Sequence, residues 1–477
     1  MKKLEEIILL RKMKCEKHRN DSAIYISIVI PSLNVAKYME ECLESVTGQT
    51  LKEIEILCID AGSTDGTLQI IERYASEDPR IRLVESDKKS YGYQVNMGIR
   101  KARGQYIGIV EPDDYIDKTM YQNLYSHTGN DFPDFIKGGY TEFADLKGRK
   151  VYAKAGRSRL ADVFEQLIFF DDAKEKGILD INHIWSGIYR RAFLLEKNIW
   201  LNETAGASYQ DISFSILVGL LANTGIYINE TDYFYRVDNE NSSVKSSSKW
   251  RCVIDEYEYI TNELIKREMY TADIQKLVCR QKLASYQWNV LRLSEKERKY
   301  FLSEIQPELQ DFSKGKALYA DLMDSQKESL ELLRDWNALS DYLNKKQERN
   351  RHLGELLIRA KQDEKFVLVS AGYYGERILL LQEMSGIIFI KDVADNNDML
   401  QGKIWNGYSI ISVSDAVQKH KRDTFIIANR NHSDEIRKQL EHMGLSGNKI
   451  FLVNDMLSLE EILRFDGYNS QSVCNCR

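Results

Sequence analysis

Three carboxylates crowd into four positions at Glu111, Asp113 and Asp114, with Pro112 between them. Like charges at that spacing raise one another's pKa. A hard cation relieves the repulsion: Mg2+ and Mn2+ take carboxylate oxygens and commonly share them with a substrate phosphate. Capping a helix or loop is the plain alternative for such residues. Two earlier stretches bear on the choice. PSLN, residues 31–34, precedes a helix start and can offer backbone N–H groups to a phosphate or ribose. DAGSTDGT begins at Asp60, which suits a base or ribose contact. Ser63 and Asp65 read as caps of the next helix, and Gly62 and Gly66 as its turn.

Strands and helices must bring these loops together. YISIVIPSL, EIEILCID, IRLVES and QYIGIV read as β-strands, and AKYMEECLESVTG, LQIIERYASED and YQVNMGIRKAR as the helices between them. Such alternation implies a parallel sheet with helices on both faces. Ligands of these sheets sit beyond the carboxyl ends of the strands. PSLN, DAGSTD, ESDKKSYG and EPDDY each follow a strand, so they converge on one edge.

The rest of the chain divides by pattern. Residues 1–22 read as a short amphipathic helix, 23–245 as the first α/β domain, and 246–362 as a charged, tyrosine-rich helical region. Residues 363–460 form a smaller α/β domain, and 461–477 a tail. In the smaller domain, VLVSAGYYGERI places Gly372 and Gly375 after a strand and before a helix. Asp392 and Asp395 follow about 20 residues on, a Rossmann-like outline. SAGYYG is only part of a dinucleotide motif, and a structural, oligomerising or regulatory module is the plainer reading.

A net charge of −6 argues against a nucleic-acid binder. Seven scattered cysteines suit a reduced, cytoplasmic setting, with Cys42 and Cys58 as core thiols and Cys474 and Cys476 in the tail. No apolar run approaches the ~18 residues that a spanning helix needs. Peripheral association through residues 1–20 stays open.

Taken in order, ISIVIPSLNVAKYMEECLESVTGQTL, ILCIDAGSTDGTLQIIERYA and YGYQVNMGIRKARGQYIGIVEPDDYI resemble family 2 of the glycosyltransferases, over residues 25–245. The resemblance implies the GT-A nucleotide-diphospho-sugar transferase fold. It also implies transfer of a sugar from a nucleotide-sugar to an acceptor hydroxyl with inversion at the anomeric carbon, and a Mg2+ or Mn2+ cofactor. It sets Pro31, Ser32, Leu33 and Asn34 along the nucleoside and Asp60 near the base. Asn96 falls in an N-x-G segment. Asp113 faces ribose or metal, and Asp114 is the principal metal ligand. Glu111 fills a slot where Asp is commoner. An inverting transfer needs one general base. The family's usual Glu-Asp pair is here Gln210-Asp211, which makes Asp211 the base, with an N-cap as its alternative. His183 and Trp185 fall on the acceptor side, and Arg236 near the diphosphate.

Two departures touch the base pocket. The family's frequent second Asp, suited to uracil, is Ala61, and its frequent stacking Tyr is Leu33. A UDP-sugar is favoured as donor on family grounds, with a glycan or lipid-linked acceptor at the inner membrane face. Homo-oligomerisation stays open. Two other classes compete. A nucleotidylyltransferase needs a glycine-rich basic loop after the first strand, which PSLNVAKY does not supply. A non-catalytic scaffold or binding protein would keep the fold and lose the chemistry, which Ala61, Leu33 and Gln210 leave open.

Overall fold

The computed structural model describes residues 24–466 apart from 147, 156–157, 171–182, 208, 243–245, 315–321 and 454–456. The helix expected at 1–22 and the end of the tail, with Cys474 and Cys476, lie outside the described residues. Residues 461–466 belong to a helix, Leu459–Asp466, that buries Leu459 and Ile462.

The chain forms two compact units. One runs to Thr141 and resumes from 157 to Asp335; the other joins 142–156 to the residues from Trp336 onward. The helical region expected at 246–362 is thereby divided. Helices Cys252–Lys266, Ala272–Arg292, Glu295–Lys314 and Asp324–Arg334 fall in the first unit, and Trp336–Lys361 in the second. Among the described residues no helix is long and apolar enough to cross a membrane.

The first unit is built on an eight-stranded sheet. Its strands are β1 (Ile26–Ser32), β2 (Ile54–Asp60), β3 (Ile81–Glu85), β4 (Tyr106–Ile109), β6 (Phe135–Lys137), β9 (Ile168–Phe169), β10 (Gly187–Arg190) and β11 (Thr224–Tyr227). They lie in the order β3-β2-β1-β4-β10-β6-β11-β9. The short β5 (Tyr115–Ile116) pairs antiparallel with β12 (Tyr233–Arg236). The parallel sheet expected from the strand-helix alternation holds from β3 to β4. Beyond β4 the sheet is mixed, because β10 runs antiparallel to both its neighbours. Every residue of β1 and β2 is buried, as their continuous apolar runs require when both sheet faces are covered. Helix Ala36–Thr47 seats Met39, Cys42, Leu43 and Val46 on the sheet.

Helix Tyr91–Lys101 approaches its neighbours unusually closely. A Cβ on Gly98 would sit 2.4 Å from Val29 Cγ1 of β1. A Cβ on Gly92 would sit 2.0 Å from the backbone carbonyl oxygen of Asn202. Backbone cannot yield as a side chain can, so Gly92→Ala is expected to cost about 1–3 kcal/mol. A thermal melt reads this directly, and an unchanged midpoint would contradict the close packing.

In the second unit, β7 (Tyr140–Leu146) and β8 (Arg149–Lys154) contribute residues 142–154. The rest is a six-stranded sheet of β13 (Phe366–Val369), β14 (Ile390–Asp395), β15 (Ile404–Trp405), β16 (Tyr408–Ser412), β17 (Thr424–Ile427) and β18 (Ile450–Leu452). Their order is β15-β16-β14-β13-β17-β18, and all pairs except β15–β16 are parallel. From β16 to β18 this is the Rossmann strand order. Asp395 accepts from the N–H groups of Ala371 (2.7 Å) and Asn397 (2.8 Å), so it braces the SAGYYG loop. Asp392 pairs with Lys419 at 2.8 Å and with His420.

Candidate active site

The expected convergence of loops is present. A cavity of about 330 Å³ opens at the carboxyl ends of β1 and β4, within the first unit. Its walls include Pro31, Ser32, Leu33, Glu111, Asp113, Trp185 and Asp211. Asp113 is held by Asn239, whose Nδ2 donates to Oδ2 at 2.7 Å. Burial raises its pKa, and the Asn239 bond opposes the shift. Glu111 accepts from the hydroxyl of Tyr91. Burial, reinforced by Asp113 and Asp211 and opposed by the Tyr91 bond, pushes Glu111 up to about 8.

Asp114 is turned away from this cavity. Its Oδ2 accepts from the Tyr233 hydroxyl at 2.8 Å and its Oδ1 from the Arg236 N–H at 2.7 Å, and it is 1% exposed. It ties the acidic loop to β12. Of the two aspartates expected to face a metal, Asp113 is among the residues lining the cavity and Asp114 is not. Arg236 also bonds within the acidic loop and its neighbours. Its Nε donates to the Asp113 carbonyl oxygen at 2.8 Å and its Nη2 to Glu41 at 2.5 Å, and its guanidinium lies 4.6 Å from the Tyr38 ring centre. It clamps the acidic loop from behind and is not among the lining residues.

Three more of the singled-out polar residues brace loops. Asp60 accepts from the N–H groups of Gly62 (2.9 Å) and Ser63 (2.8 Å) and from the hydroxyls of Ser32 (2.8 Å) and Ser63 (2.6 Å). Asn34 sits at φ +54 and accepts from the Thr64 N–H at 2.8 Å, joining PSLN to DAGST. Asn96 is fully buried and exchanges hydrogen bonds with the Leu201 backbone at 2.9 and 3.0 Å. None of the three lines the cavity. Pro31, Ser32 and Leu33 do.

On the far wall Trp185 stacks on Tyr233 (4.1 Å between ring centres) and Tyr235 (5.3 Å). His183 packs against Trp185 at 5.1 Å but is outside the lining. Asp211 is the second residue of helix Gln210–Leu221, in its first turn, where the helix dipole favours an anion. Burial pushes its carboxyl up to about 6, against the pull of the helix-start N–H groups and Lys137. The residue before the helix, Tyr209, has φ +66, a conformation that β-carbon-bearing side chains seldom adopt. Trp288 holds the Tyr209 ring edge-on at 5.5 Å, and Arg292 lies over it at 5.2 Å. Gln210 donates to the Thr204 hydroxyl at 2.9 Å, so the residue standing where Glu is usual fastens the loop.

Several lining residues escaped the sequence reading: Lys89, Tyr91, Gln94, Tyr209 and Lys249. Lys89 and Tyr91 lie in the expected ESDKKSYG loop and were findable there. Lys249 comes from a short turn of helix in the charged segment, donates to the Ala207 carbonyl oxygen at 2.5 Å, and carries no sequence signal.

Behind the site Glu256 is 1% exposed and accepts from Asn202 Nδ2 at 2.9 Å. Burial pushes it from 4.5 up to about 8. The folded state therefore binds a proton that the unfolded state releases above about 4.5. This contribution is fully present below pH 4.5 and lost as pH rises through about 8, by at most about 5 kcal/mol. Glu256→Gln is expected to flatten that decline. Melts at pH 6 and 8.5 test it; parallel slopes in the two proteins would contradict it.

Oxygen donors at Glu111 and Asp113 fit a hard cation. Among the described residues no group of three or more His, Cys, Asp or Glu side chains could hold one alone. A cation here would complete its shell with ligand oxygens and water, the usual Mg2+ arrangement.

The family model described as "Glycosyl transferase family 2" matches residues 27–195. A second, "C2185-like, N-terminal", matches 364–451. "Glycosyltransferase GlyG" of Streptococcus pneumoniae is 30% identical over 44% of this chain and 70% of its own length. "Uncharacterized glycosyltransferase EpsJ" of Bacillus subtilis is 30% identical over 46% of this chain and 62% of its own. The crystal structure of S. aureus TarS 1-349 superposes with a TM-score of 0.43 at 18% identity, over 64% of this chain and 90% of that one, too loosely to inform the site. The chain belongs to glycosyltransferase family 2, with the GT-A fold in its first unit.

Proposed function

We propose that the chain is a metal-dependent, inverting glycosyltransferase that moves a sugar from a nucleotide-sugar to an acceptor hydroxyl in cell-surface polysaccharide or glycolipid synthesis. The observation that carries this reading is the pairing of Asp113 and Asp211 in one cavity at the carboxyl edge of the sheet. Asp113, with Glu111 beside it, would hold Mg2+ or Mn2+ against the donor's diphosphate. The bound cation would offset the negative charge that develops there. Leu33 and Pro31 flank the nucleoside, and Lys89 and Lys249 supply further positive charge. Trp185 and Tyr235 offer an aromatic wall to the acceptor sugar.

Asp211 takes the proton from the acceptor hydroxyl. The hydroxyl oxygen bonds to the anomeric carbon as the bond to the diphosphate oxygen breaks, and its electron pair leaves with the diphosphate. One carboxylate suffices, and no covalent enzyme intermediate forms.

A thermal-shift panel of UDP, GDP, CDP and dTDP, with and without Mn2+, tests the reading. A ligand that binds only the folded state raises the midpoint by mass action. A shift that needs Mn2+ and vanishes in Asp113→Asn is expected. No shift with any nucleotide would favour the scaffold reading.

A further inference from the structure

Next to Asp60, where the family often has a second Asp suited to uracil, this chain has Ala61, which is 3% exposed. The other acceptors in that corner are spent. Asp60 receives four internal hydrogen bonds. The Ser32 carbonyl oxygen receives the N–H of Ala61 at 3.0 Å. It also receives Gln94 Nε2 at 2.9 Å, and that same amide nitrogen donates to the Ile59 carbonyl oxygen at 2.6 Å. Two carbonyl acceptors can be met only by the NH2 group, so the amide orientation of Gln94 is determined. Its Oε1 must therefore turn the other way. Among the described residues no donor reaches Oε1. Gln94 is only 4% exposed, and it lines the cavity between Ser32 and Tyr91.

We propose that Gln94 is a specificity-determining residue of the donor site: its Oε1 accepts the N3–H of a uracil or thymine base. The inference rests on the nucleotide-sugar reading above. A single neutral acceptor matches a single imide N–H. Guanine presents two adjacent donors and calls for a carboxylate pair. Cytosine presents a lone pair at N3, which would face Oε1 with like partial charge. The apolar Leu33 and Val35 complete the wall, where a flat pyrimidine needs no further polar partner.

Calorimetric titration of the full chain with UDP, CDP and N3-methyl-UDP, all with Mn2+, tests this on the ligand side without touching the fold. UDP is expected to bind about tenfold or more tighter than either of the others: N3-methylation removes the only donor of the base, and cytosine turns a lone pair toward Oε1 unless it shifts to offer its N4 amine. Gln94→Leu should weaken UDP to the level of N3-methyl-UDP and abolish the difference between them. Should that variant melt early, the wild-type comparison alone still decides. Equal binding of UDP and N3-methyl-UDP, or preference for CDP, would overturn the role of Gln94 and leave the glycosyltransferase reading standing. Failure of every nucleoside diphosphate to bind would overturn both.

Discussion

Asp211→Asn is expected to lower sugar transfer by about 10²–10⁴-fold, the range that a positioned general base supplies. Asparagine preserves the shape and can still occupy the helix start, so the melting midpoint and nucleotide affinity should stay near wild type. The pH dependence sharpens the test. Burial pushes the Asp211 carboxyl up to about 6. A base works only when ionised, so wild-type transfer should fall as pH drops through about 6 and level off above it. The residual activity of Asp211→Asn should lack that limb. Unchanged turnover, or an identical pH profile in the variant, would assign Asp211 to helix capping alone.

The neighbours Asp113 and Asp114 should part company when each is changed to Asn. Asp113 lines the cavity and accepts a side-chain hydrogen bond from Asn239. Its loss should abolish Mn2+-supported nucleotide binding and leave the fold intact. Asp114 receives a hydroxyl and a backbone N–H, both from β12. An amide there replaces one oxygen with an NH2 group; if this faces Tyr233, the hydroxyl that already accepts from the Glu111 N–H must accept again and its own hydrogen loses its partner. Breaking such buried hydrogen bonds costs about 1–3 kcal/mol each, so the midpoint should drop by several degrees. Parallel melts and nucleotide titrations of the two variants distinguish the roles. A stable Asp114→Asn that has lost Mn2+ dependence would make Asp114 the metal-facing residue.

The architecture near the site was legible because its signals are local. Four strands ending in polar loops imply one ligand edge, and that edge carries the cavity. The antiparallel insertion of β10 was not legible, since GIYR is too short to show its direction and pairs through residues distant in sequence. Within the site, residue types named the chemistry but not the facing. Asp60, Asn34, Asn96, Asp114 and Arg236 all have the side chains that ligands need. The same donors and acceptors also serve the backbone of converging loops, and each of the five makes such a hydrogen bond here. Such loops have many backbone groups outside the sheet ladder, and each must find a partner. Lys249 and the Trp288–Arg292 support of Tyr209 come from helices beyond the matched family region, so the motifs could not foretell them.

The most direct test of the central claim is the configuration of the released sugar. The full chain with Mn2+ and an α-linked nucleotide-sugar, chosen by the binding panel, can use water as a slow acceptor. Proton NMR then follows the anomeric signal before mutarotation. A single base and direct displacement predict that the β anomer appears first, with no signal from Asp211→Asn. First appearance of the α anomer from the wild type would contradict the account, since retention requires a route that the lone base Asp211 does not provide.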